Sequence, residues 1–137
     1  MAGLSPALPL TVDPTDGYFR LTKTILQVTR QNLKNLVLTC PGERVMDLSF
    51  GVGLRNYLFQ QNVPITYEKI SARIIEQSKI YMPHISIDDV LFGVNDANIN
   101  PMESNTLSIS VQYTITALNV KDVLQLPDSS DSTQGTL

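Results

Sequence analysis

Tryptophan is absent from this sequence, and cysteine and histidine occur once each, as Cys40 and His84. One cysteine cannot form an internal disulfide, so no oxidised cross-link holds the fold together. One cysteine and one histidine also fall short of the ligand set of a structural zinc site. Charge is sparse: 17% of residues are Asp, Glu, Lys or Arg, the net charge is −3, and no basic cluster offers an attraction to nucleic acid. No apolar run approaches the ~18 residues of a membrane span, and no basic segment leads into an apolar stretch as in a secretory signal. These absences give the expectation of no metal, no cofactor, no nucleic acid and no membrane.

What is present is enough for one ordinary core: 42% of 137 residues are hydrophobic. Residues 1–17 hold three prolines and no helical period, and are expected to form an extended arm. Residues 127–137, "PDSSDSTQGTL", are polar and low in complexity, and are expected to be a disordered tail. Residues 18–126 are expected to form a single domain. Within it, "RLTKTILQVTRQNLKNLVLT" places Leu21, Ile25, Val28, Leu33, Leu36 and Val37 near helical spacing, and Pro41-Gly42 ends the run. A short turn of helix is expected after Gly53. A second long helix starts near Pro64, with Thr66 as its N-cap, Glu68 in its first turn, and Tyr67, Ile70, Ile74 and Tyr81 on one face.

After Pro83 the period changes to two. Two strands are expected, joined by the turn-rich "NDANINPMESN", with residues 118–126 adding at most a short segment. In the second strand Leu107, Ile109, Val111, Tyr113, Ile115 and Ala117 alternate with polar residues, as in a strand with one wet face. The fold class is therefore α+β: two long helices and a short helix packed on a small antiparallel sheet of C-terminal strands.

Most candidate chemistries lack their required context. "GVGLRN" has Asn56 where a dinucleotide fingerprint needs a third glycine, and no strand precedes it, so Gly51 and Gly53 are better read as turn glycines and no small-molecule ligand is expected. His84 has no motif partner, and Asp88-Asp89 lack calcium-loop spacing. A glycosidase needs two carboxylates across a cleft. Glu43 has no second carboxylate fixed by a motif, with Asp47 and Glu68 both conceivable, and no tryptophan supplies a sugar platform. The stretch "TCPGERVMDLSFGVGL" remains, with Glu43-Arg44 set among apolar residues between the turn formers Pro41-Gly42 and the glycines Gly51 and Gly53. Two readings are open. Glu43 could accept backbone N–H groups while Arg44 caps the first helix, or Arg44 could present its donor fork to a partner protein.

The run "RQNLKNLVLTCPGERVMDLSFGVGLRNYLF", the second helix and "ISIDDVLFGV" resemble the GPW/TssE-like baseplate wedge family across residues 18 to 120. That resemblance implies a structural, non-enzymatic wedge subunit of a contractile phage tail, made in the host cytoplasm and located in the tail baseplate. Its partners would be larger baseplate wedge proteins and the tail sheath protein. The family's docking role falls on Glu43 and Arg44, with Asp47 and Phe50 beside them. Its sheath-facing strands fall on residues 84–95 and 106–118. Some older labels call the family lysozyme-like, which makes a peptidoglycan-cleaving enzyme the alternative. Residues 107–118 contain neither charge nor proline, so this strand, with Gln112 at its middle, is expected at or beside a free sheet edge.

Overall fold

The computed structural model describes residues 3–93 and 107–126. The expected connection at 95–105 and the expected tail at 127–137 lie outside these residues. The fold mixes helices with a small antiparallel sheet of C-terminal strands, and the chain divides into two compact units, Met1–Asn35 and Leu36–Leu137.

In the first unit the expected arm is paired. β1 (Ser5–Pro6) runs antiparallel to β2 (Leu21–Thr22), with Leu4 N donating to Thr22 O and Ala7 N to Arg20 O, both at 2.8 Å. Gln31 completes this edge like a short strand: its Nε2 donates to Pro6 O and its Oε1 accepts Leu8 N, each at 3.0 Å. The pairing takes Leu21 and Thr22 out of the helix expected from residue 20. Helix α1 (Ile25–Leu38) starts instead at Thr24, whose hydroxyl accepts Gln27 N at 3.3 Å while the Gln27 side chain accepts Lys23 N at 3.1 Å. This reciprocal pattern resembles a capping box.

The second unit takes the last turn of α1, then α2 (Leu54–Tyr57), α3 (Pro64–Tyr81) and three strands, β3 (Ile85–Phe92), β4 (Ile109–Ile115) and β5 (Val120–Leu126). Helix α3 begins with Pro64, where a missing N–H costs nothing. Thr66 is therefore not its N-cap: Val63 is, and the Thr66 hydroxyl donates to Gln61 O at 3.0 Å. With that start, Glu68 falls beyond the first turn. Ile70 and Ile74 are buried, and α3 lies against β3, with the Tyr67 and Phe92 rings 4.8 Å apart.

The strand order β3-β4-β5 corrects the sequence reading. Residues 120–126 are a full seven-residue strand in antiparallel register with β4, from Ile109↔Leu126 to Ile115↔Val120. β4 also pairs with β3, from Ile85↔Ile115 to Phe92↔Ile109. The strand expected to offer a free edge is thus the centre of the sheet, with its ladder occupied on both sides. Its alternation is as expected: Ile109, Val111, Tyr113 and Ile115 are buried, while Ser110, Gln112 and Thr114 are half-buried on the other face. The missed strand breaks the period-two signal at Lys121-Asp122. Asp122 sits opposite Tyr113, and its carboxylate accepts the buried Tyr113 hydroxyl at 2.7 Å.

Candidate functional site

The loop after α1 leaves and returns to the same helix end. Val52 N donates to Leu36 O at 3.0 Å and Gly53 N to Thr39 O at 2.9 Å, so residues returning from the loop satisfy carbonyls that a helix end leaves open. Gly51 and Gly53 make the return possible. Their φ values are 108° and 73°, and a Cβ on Gly51 would strike the Thr39 carbonyl oxygen, while one on Gly53 would lie 2.7 Å from Pro41 Cδ. At the outgoing end, Gly42 also has a positive φ, 93°, and its N–H donates to Leu48 O at 2.9 Å.

The two readings of Glu43-Arg44 separate here. Glu43 works inside the chain: its N–H donates to Cys40 O and its Oε2 accepts Cys40 N, both at 3.1 Å. Arg44 does not cap α1; the Leu36 and Thr39 carbonyls at that end accept Val52 N and Gly53 N instead. It is exposed, with its guanidinium carbon 4.0 Å from the centre of the Phe50 ring. Phe50 meets the Tyr81 ring edge-on, at 4.8 Å between centres and 74° between planes.

Asp47 is the polar hub of the loop. One carboxylate oxygen accepts Ser49 N at 3.1 Å and Ser49 Oγ at 2.8 Å, and the other accepts the Tyr81 hydroxyl at 2.6 Å. The Tyr81 hydrogen bond, then those from Ser49, with the Arg44 charge nearby, hold this carboxyl below its ordinary range. Helix α3 reaches the loop at two more points. Buried Gln77 accepts Gly51 N at 2.9 Å, and Arg73 donates to Ser49 O at 3.4 Å and Gly51 O at 3.5 Å while pairing with Glu76 at 3.0 Å.

Two aliphatic side chains stand out of this well-bonded loop: Val45 is 90% and Met46 98% exposed. The expected docking residues Glu43, Arg44, Asp47 and Phe50 and the turn residues Pro41, Gly42, Gly51 and Gly53 thus form one structure. The strand residues expected to face the sheath do not join it. Ile109, Val111, Tyr113 and Ile115 are buried, Leu107 precedes the strand, and Gln112 is half-buried at the sheet centre. Arg73, Gln77 and Tyr81 were not linked to the loop by the sequence. Their spacing of four residues along one helix was the available signal. The loop carboxylates Glu43 and Asp47 are both engaged in hydrogen bonds that shape the loop.

Comparison with known proteins places this geometry. Residues 24–120 match the family model described as baseplate wedge protein gp25. Solved structures that share the fold include these two. One is a Geobacter sulfurreducens protein with the provisional name of tail lysozyme, 22% identical, with a TM-score of 0.63 over 77% of this chain and 91% of that one. The other is a chain of the anti-feeding prophage baseplate, 24% identical, with a TM-score of 0.65 over 80% of this chain and 82% of that one. No curated protein matches.

Proposed function

The chain belongs to the baseplate wedge protein gp25 family, and from that premise we propose that it is a structural, non-enzymatic subunit of a contractile phage tail baseplate, docking on larger wedge proteins and offering a sheet edge to the tail sheath protein. The observation that carries the docking role is the loop 41–50, which lies within the family match and holds Val45 and Met46 almost fully in water on a hydrogen-bonded frame. Such exposure contributes nothing to the stability of the free chain. Beside an arginine it suits the centre of a protein interface. The likeness to a chain of the anti-feeding prophage baseplate supports the same location.

Of the two strands expected to face the sheath, at residues 84–95 and 106–118, the second is central, and the outer strands are β3 and β5. β3 has a bulge between Ile87 and Asp89 and carries Asp88 and Asp89, features that blunt an edge. β5 carries Lys121 and Asp122, but it runs in unbroken register with β4 and has neither bulge nor proline, so its continuous ladder is the better template for strand addition by a sheath arm. Baseplate reconstitution tests the docking role. Arg44→Ala should remain a folded monomer, with its melting temperature unchanged, and be lost from purified wedges; incorporation at the wild-type level would refute the role. Hydrogen exchange tests the edge: β5 amides should gain protection when sheath protein binds, and protection confined to β3 would reverse the assignment. Cell-wall turbidity should be unaffected by the purified protein, whereas clearing that Glu43→Gln abolishes would establish the hydrolase alternative.

A further inference from the structure

Arg44 is a long, flexible side chain on an exposed loop, yet its guanidinium lies over an aromatic ring. The ring is itself held from outside the loop. Tyr81, in the last turn of α3, meets Phe50 edge-on and donates its hydroxyl to Asp47 at 2.6 Å, so one residue fixes both the aromatic support and the carboxylate hub of the loop. The Phe50 ring backs one side of the guanidinium, whose carbon lies 4.0 Å from the ring centre. Its N–H edge makes no hydrogen bond or ion pair among the described residues. The nearest loop carboxylates are already engaged, Glu43 by the Cys40 N–H and Asp47 by Ser49 and Tyr81. A guanidinium backed by a ring, and without a hydrogen-bond partner of its own among the described residues, offers a flat fork of donors, which matches the two parallel acceptors of a carboxylate better than any single carbonyl.

We propose that Tyr81 is a positioning residue that, through Phe50, aims the Arg44 fork at a carboxylate side chain on the docking partner. This rests on the docking role proposed above and adds the chemistry of the group recognised. It also separates two functions of α3. Gln77 and Arg73 hold the loop backbone, whereas Tyr81 acts on the orientation of a side chain that does not touch it.

The test uses the full-length chain as analyte and, as the immobilised probe, the larger wedge proteins of the same tail, purified as a complex lacking this subunit. Arg44→Ala should weaken binding roughly tenfold or more, as truncation of a central interface arginine does. Arg44→Lys keeps the charge and loses the fork, so it should lose most of the same affinity; full affinity with lysine would overturn the carboxylate assignment. Tyr81→Ala and Phe50→Leu should each approach the Arg44→Ala value, and Tyr81→Phe, which keeps the ring, should recover most of it. In an Arg44→Ala background, Tyr81→Ala should cost nothing further. A merely structural role for Tyr81 predicts the same loss with or without Arg44, and that additivity would overturn the proposal. Wild-type affinity in both Tyr81→Ala and Phe50→Leu would do so as well. Wild-type affinity in Arg44→Ala together with Met46→Asp would instead refute the docking role itself, so the two failures are distinct.

Discussion

The loop 41–50 and strand β4 are both rich in apolar residues, and they use them in opposite ways. β4 buries Ile109, Val111, Tyr113 and Ile115 on one face and is hydrogen-bonded along both sides. The loop leaves Val45, Met46 and Leu48 exposed and takes its shape from polar hooks: Glu43 on Cys40, Asp47 on Ser49 and Tyr81, and Gln77 on Gly51. Burial gives β4 its stability, and the same burial removes it from any surface. The loop has little burial to lose, so its side chains can be changed with small effects on folding. Substitutions in the two regions should therefore separate cleanly, those in β4 appearing in denaturation and those at the loop surface in assembly.

The largest effect expected is Gln112→Pro. In an edge strand this change would leave the fold intact, but at the sheet centre it removes a ladder hydrogen bond and should cost about 3 kcal/mol or more, leaving little folded protein in a urea titration. A soluble variant with a normal melt would contradict the observed strand order. Next is Gly51→Val, where the backbone has φ 108° and the Thr39 carbonyl blocks any Cβ. Strain and clash together should cost about 2 kcal/mol or more in the same titration. Gly42→Ala shares the positive φ but points its Cβ into open space, so it should cost only about 1 kcal/mol. Met46→Ser should leave stability within about 0.5 kcal/mol while depleting the subunit from assembled wedges. Equal costs for Gly51→Val and Gly42→Ala would show that φ alone matters at these turns.

The same contrast explains which parts were legible in the sequence. The loop announced itself because Pro41, Gly42, Gly51 and Gly53 mark local backbone events, and local events leave local signals. The inward face of β4 was legible for the same reason, since its alternation is written within seven residues. Its place in the sheet was not, because strand order depends on a partner elsewhere in the chain. β5 was obscured by Asp122, an inward-facing charge whose Tyr113 partner lies on another strand. The start of α1 was misplaced because Leu21-Thr22 fits a helical pattern, and only pairing with Ser5-Pro6 excludes it. Gln77 had only its four-residue spacing from Arg73 and Tyr81 as a signal: a glutamine on an amphipathic helix reads as solvent-facing, and its burial is explained by Gly51 N, 26 positions earlier in the chain.

The smallest effect expected concerns acid, and it asks whether the polar hooks of the loop contribute to stability at all. Asp47 titrates below its ordinary value of 3.8 because Tyr81, then Ser49, donate to its ionised form. A carboxyl with a depressed folded-state pKa stabilises the fold fully above its unfolded value, and that contribution fades as pH falls through the folded one. Asp47 should therefore add nothing to the pH dependence between pH 7 and about 5, and should make the wild-type protein lose stability below about pH 4. Asp13 and Asp16 are depressed too, Asp13 first by the Thr15 side chain and Asp16 first by Lys23. Their contributions are common to wild type and Asp47→Asn and cancel in the difference between the two melting curves. That difference should be flat at neutral pH and shrink in acid. A constant difference down to pH 3 would mean that the Asp47 charge does not stabilise the folded loop.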